Sequence, residues 1–165
     1  MRISSMNADH LRTYLKDHFA GSVAATQLLD HLISAHSGKP LEQVFGDLRR
    51  EIGEDQDALQ KILKQSGGSE GLVRNATAFV GEKLSRVKLL LEDPAGNGLS
   101  LLEKLEALAL GIQGKRMLWR SLKIAASDAP ALSNIDFDQL DERAESQSRQ
   151  VEELRIEAAR QAFGG

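Results

Sequence analysis

Five polar side chains fall where long helical stretches should be apolar: His18, Asp55, Lys115, Arg116 and Gln147. An imidazole beside a carboxylate can hold a metal or move a proton, whereas a carboxylate beside an ammonium or guanidinium makes an ion pair. Two acid pairs, Glu51/Glu54 and Glu142/Glu145, sit in the same E-x-x-E-x-Q pattern with Gln56 and Gln147. Acid–base work by such a pair needs both carboxyls inward, with separated pKa values. On a helical wheel Glu54 and Glu145 point mostly outward, Glu51 lies at the boundary and Glu142 points away, so they read as solvated faces. Asp55 alone is a good inward carboxylate. His18 reads first as a core histidine with its hydrogen bonds satisfied, His10 and His36 lie near helix ends, and His31 faces outward. The GIQG step, Gly111 to Gly114, lies inside a helical pattern and not between a strand and a helix, which excludes a phosphate loop.

Four long helices are needed to position these groups. Asn7 can cap a first helix over about residues 8–36, with Met6 stapling against Leu11 and Gly38 as a left-handed stop. Its inward stripe reads Leu11, Tyr14, Leu15, His18, Ser22, Ala25, Leu29, Leu32 and Ile33. Pro40 suits the first turn of a second helix, about 40–66, ended by Gly67-Gly68 and striped by Leu41, Phe45, Leu48, Ile52, Leu59 and Leu63, with Asp55 beside them. The short connection makes these two helices antiparallel neighbours. A third helix starts at a capping box of Ser100 and Glu103, runs to about Ala126, and carries Leu101, Leu105, Leu108, Ile112 and Trp119 on one face, interrupted by Lys115 and Arg116. A fourth runs from about Asp136 to Ala162 with Leu140, Ala144, Gln147, Val151, Leu154 and Ala158 inward. Between the pairs, a shorter helical pattern begins near Ser69, carries Ala76, Phe79, Val80 and Leu84, and ends in a Pro/Gly/Asn loop. No segment has the period of a strand, so the chain is all-α.

The 165 residues make one ordinary domain, 1–165, large enough for a real core. Charged residues at 27% and hydrophobic residues at 41% are a globular balance. A net charge of -3 and an aromatic content of 4% argue against nucleic acid as a partner. With no cysteine there is no disulfide framework, thiolate zinc site or cysteine nucleophile. The start MRISSMNADH lacks an apolar signal core, and no run approaches the ~18 apolar residues of a membrane span. A cytoplasmic protein with no membrane partner is expected.

The two halves are alike. A shift of 90 pairs Leu15 with Leu105, Gly21 with Gly111, Leu28 with Leu118 and Leu32 with Leu122; a shift of 91 pairs Glu51, Glu54 and Gln56 with Glu142, Glu145 and Gln147. Two helical hairpins joined by one long crossover follow, the ferritin-like version of the four-helix bundle. The stretches YLKDHFAGSVAATQLLDHL with EIGEDQDAL, and LEALALGIQGKRMLW with ERAESQSRQVEELRIEAA, resemble uncharacterised bacterial proteins of the ferritin-like superfamily over nearly the whole chain. The resemblance implies a fold and no activity.

Ferritin-like di-iron proteins place a carboxylate on each of two helices and Glu-x-x-His on each of the other two. Here the second and fourth helices have no histidine, and the third supplies Lys115 and Arg116 with no inward acid, Glu103 and Glu106 lying on its far side. The expected centre is therefore a polar network, with Asp55 paired to Lys115 or Arg116 and with His18 and Gln147 taking the remaining hydrogen bonds. On this reading the chain is not an enzyme, carries no metal or cofactor, and serves as a binding, stress-associated or structural module. The alternatives are a metal-dependent oxidoreductase or metal-storage protein with an irregular site of His18, Asp55 and Glu51, and a helical adaptor with an apolar groove. Leu110, Met117 and Leu118, with Phe19 and Val23, lie beyond the core stripes. The crossover is expected to cover one set and a second copy of the chain the other, giving a homodimer.

Overall fold

Asn7 Oδ1 accepts the backbone N–H groups of Asp9 and His10 at 3.1 Å each, satisfying two donors that a helix start leaves without partners. In a computed structural model, which describes residues 7–67, 71 and 98–164, the helix so capped is α1, Ala8–Ala35. The chain reverses through Gly38, whose φ of +74° suits a residue without Cβ, and α2 follows as Pro40–Gln65 with its proline in the first turn. Helix α3 is Gly98–Ala125 and α4 is Phe137–Phe163, with a 3-10 turn, Pro130–Leu132, between them. Asp136 caps α4 by accepting the Gln139 N–H at 3.0 Å. Among the described residues there is no strand, and no helix is long and apolar enough to cross a membrane. The chain is an all-α four-helix bundle.

The third start differs from expectation. Ser100 is not a cap: it is buried within the first turn of α3, and its Oγ accepts from the Lys104 ammonium at 2.6 Å. The Met6 staple, the short helix of the crossover and the Pro/Gly/Asn loop lie outside the described residues.

Helix direction follows from which ends meet. The ends of α1 and α4 and the starts of α2 and α3 share one end of the bundle, where His36, Leu41, Leu101 and Gln161 line a common cavity. At the other end Tyr14 of α1 hydrogen-bonds Ser121 of α3 at 3.3 Å, and Lys123 of α3 pairs with Asp138 of α4 at 2.6 Å. Helices α2 and α3 thus run the same way, and α2 finishes at the end opposite the one where α3 begins. Contacts are densest within each hairpin, α1 on α2 and α3 on α4, and α1 lies against α3.

The core is a continuous cluster of leucines with Phe19, Phe45, Phe137 and Trp119. Each fully buried Leu or Phe contributes about 1.5–3 kcal/mol relative to exposure. The halves match in burial as well as sequence: Leu15 and Leu105, Leu28 and Leu118, Leu32 and Leu122 are all buried, while Gly21 and Gly111 are both exposed. Phe19, Val23 and Leu118, which lie beyond the stripes, are buried, and the crossover expected to cover one of the two sets lies outside the described residues. Leu110 and Met117 do stand exposed.

Candidate functional site

Asp55 is the centre of the midsection. It stands on α2 between Ile52 and Leu59, on the buried face, and is 2% exposed. A carboxylate so placed must be fully hydrogen-bonded or lose its charge. Lys115 of α3 donates to Asp55 Oδ2 at 2.5 Å, and Gln147 of α4 donates its Nε2–H to the same oxygen at 3.2 Å. Arg143, one turn before Gln147 on α4, donates from one terminal nitrogen to Asp55 Oδ1 and from the other to Glu54 at 3.1 Å. Gln147, fully buried, accepts from Lys115 through Oε1 and donates to Glu51 at 3.3 Å. Three helices thereby converge on one carboxylate.

Burial is the main influence on Lys115 and lowers its pKa below the ordinary 10.5. The charge and hydrogen bond of Asp55 oppose that shift, Arg143 reinforces it, and Glu51 opposes it weakly. One buried carboxylate faces two cations, with Glu51 and Glu54 at the rim completing the charge balance. The Nε–H of Arg143 is buried and meets no acceptor among the described residues.

Of the five residues singled out in the sequence, Asp55, Lys115 and Gln147 are brought together. Arg116 is not part of this cluster. About 100° further round α3, it donates to Asp141 at 2.9 Å and pairs with Glu145 at 3.4 Å, and Arg120 joins the same Asp141 at 2.8 Å. His18 does not hydrogen-bond Asp55, Lys115 or Gln147 among the described residues. Its ring meets Tyr14 edge-on at 4.6 Å, and it faces a cavity of about 190 Å³ that Asp55, Lys115 and Trp119 also line. Arg143 was not foreseen, although its place four residues before Gln147 puts it on the same face of α4. Arginine there reads as a solvent residue until Asp55 is known to lie opposite.

The two glycines of the GIQG step are open: a Cβ built at Gly111 or Gly114 meets nothing within 4 Å among the described residues. No described helix requires their small size. Among the described residues, no group of three or more His, Asp or Glu side chains is placed to hold a metal ion. Comparison with protein-family models, curated proteins and solved structures finds no match.

Proposed function

We propose that this chain is a ferritin-like bundle in which a lysine ammonium occupies the level of a di-metal centre, and that it works by binding or as a structural, stress-associated module of the cytoplasm rather than as an enzyme. The observation that carries this reading is Lys115 Nζ on Asp55 Oδ2 at 2.5 Å, with the same ammonium held by Gln147. A metal at that level would face two fixed cations, Lys115 and Arg143, with a single buried carboxylate among the described residues to ligate it. The shared direction of α2 and α3, which a long crossover must join, supports the ferritin-like topology.

Metal analysis of untagged protein, purified and then incubated with iron, manganese or zinc and desalted, tests this. Substoichiometric metal is expected in all three cases. About two equivalents, lost when Asp55 and His18 are replaced together, would instead establish the metal-dependent oxidoreductase or storage reading.

The same proposal includes a homodimer. Leu110, Met117 and Ile124 are 75%, 64% and 78% exposed and recur every seven residues, forming an apolar line about 21 Å long on one flank of α3. Glu103 and Glu106 lie toward one end of that helix and Arg120 and Lys123 toward the other. A second copy laid antiparallel would therefore set unlike charges together around the apolar line.

A further inference from the structure

The end of the bundle where α1 meets α2 holds a second cavity, of about 280 Å³, with a different chemistry. Among the described residues its charged and titratable lining is basic: His31 and His36 from the end of α1, Lys39 before α2, and Lys104 from α3. Leu32, Leu41 and Leu101 line its apolar part. The volume is several times the ~30 Å³ of a water molecule.

Lys104 is the unusual member. It is 3% exposed, and its one hydrogen bond among the described residues is to the neutral hydroxyl of Ser100. A buried ammonium ordinarily has an anion beside it, because removing its charge from water is costly. The described acids of this end are engaged elsewhere or exposed. Asp30 pairs with Arg49 at 2.8 Å, Glu42 accepts the Gly38 N–H at 2.7 Å, and Glu157 meets Arg160 at 3.5 Å and Gln161 at 3.2 Å. Glu103 is exposed on α3. Two helices begin here and two end, so their macrodipoles offset and the positive character belongs to the side chains.

His31 reports the same field. Burial is the first cause that lowers the His31 pKa below its ordinary 6.5, and the charges of Lys104 and then His36 lower it further. His36 donates its Nδ1–H to the Leu32 carbonyl at 2.8 Å, since a carbonyl can only accept, and its ring is held edge-on to Phe45 at 5.3 Å. Its Nε2 is then the nitrogen left to meet a ligand.

We propose that this cavity binds a small phosphate monoester, with the phosphate among Lys104, His31, His36 and Lys39 and the organic part on Leu32, Leu41 and Leu101. Two ammonium groups and two protonatable imidazoles match a dianion better than a carboxylate of single charge. The site stands apart from the midsection network and does not depend on the absence of metal there.

Butyl phosphate is the probe, with inorganic phosphate and butyrate as comparisons, read by calorimetry and by titration of the histidine ring protons. Saturable one-to-one binding of butyl phosphate is expected, at least tenfold tighter than either comparison. The His31 pKa should rise in the complex, because the anion favours imidazolium, while exposed His10 at the other end of the bundle should not move. Lys104→Met should weaken binding at least tenfold, and Lys39→Gln, at an exposed position that does not threaten folding, severalfold. Absence of saturable binding, an unmoved His31, binding indifferent to both substitutions, or equal binding of butyrate would each overturn the proposal.

Discussion

Replacing Asp55 by alanine removes the acceptor on which α2, α3 and α4 converge, and its cost can be set against that of removing either cation. Asp55 is 2% exposed while Lys115 is 13% and Arg143 32% exposed. Breaking a buried ion pair from one side costs about 3–5 kcal/mol, because the remaining charge stays buried without a partner. In Asp55→Ala the stranded group is Lys115, left with Gln147, while Arg143 keeps Glu54 and access to water, so a loss of about 3 kcal/mol is expected. In Lys115→Met the carboxylate keeps Arg143 and Gln147. One charged hydrogen bond is lost, about 1.5–3 kcal/mol, but the desolvated ammonium goes with it, and a net loss of about 1 kcal/mol is expected. Urea unfolding at neutral pH reads the difference. With a slope of about 2 kcal/mol per molar, the midpoint falls by about 1.5 M for Asp55→Ala and about 0.5 M for Lys115→Met. The double variant Asp55→Leu/Lys115→Met should recover most of the loss, because the charges leave together. A Lys115→Met variant as damaged as Asp55→Ala, or a double variant as unstable as the sum, would refute the centring of the network on Asp55.

Three further outcomes follow from the same geometry. The Lys115 ammonium should titrate below the other lysines in a side-chain NMR titration. Between its lowered folded pKa and the ordinary 10.5 the unfolded chain holds a proton that the folded chain has released, so the contribution of this group to stability rises with pH in that window; titration together with surface lysines would contradict the burial. Burial raises the Asp141 pKa, but the hydrogen bonds and charges of Arg116 and Arg120 outweigh it and hold the carboxyl below its ordinary 3.8. Its stabilisation is therefore present above 3.8 and lost as pH falls through the lower folded value. Asp141→Asn should cost about 1 kcal/mol in urea unfolding at neutral pH, the exposed Arg120 contributing little, and the difference from wild type should vanish in the acid limb. Leu110→Lys with Met117→Lys should convert a dimer to a monomer in light scattering without lowering the unfolding midpoint of the subunit; a wild-type chain that is monomeric at all concentrations would remove the antiparallel contact.

Local signals along the chain were enough to place the helix ends other than the start of α3, and the depth of Asp55. Asn7, Pro40, Gly38 and Asp136 act on their own backbone within a few residues, and apolar spacing near 3.6 follows from helix geometry whatever the partners are. The carboxylate amid Ile52 and Leu59 had to face inward for the same reason. What lies across from a helix is not local. Lys115 and Arg116 are adjacent in sequence and equally cationic, yet one meets Asp55 of α2 and the other meets Asp141 of α4, because they differ by about 100° around α3. Arg143 joins the centre for the same reason of rotation and neighbour. Phe19, Val23, Leu118 and Lys104 are buried although nothing local to their own helices marks them as such, and the end of α4 packs so closely on the start of α3 that a Cβ on Gly98 would meet the Ala162 backbone nitrogen at 2.9 Å. Periodicity determined which side of each helix is wet; only the packing of four helices decided which charges face each other.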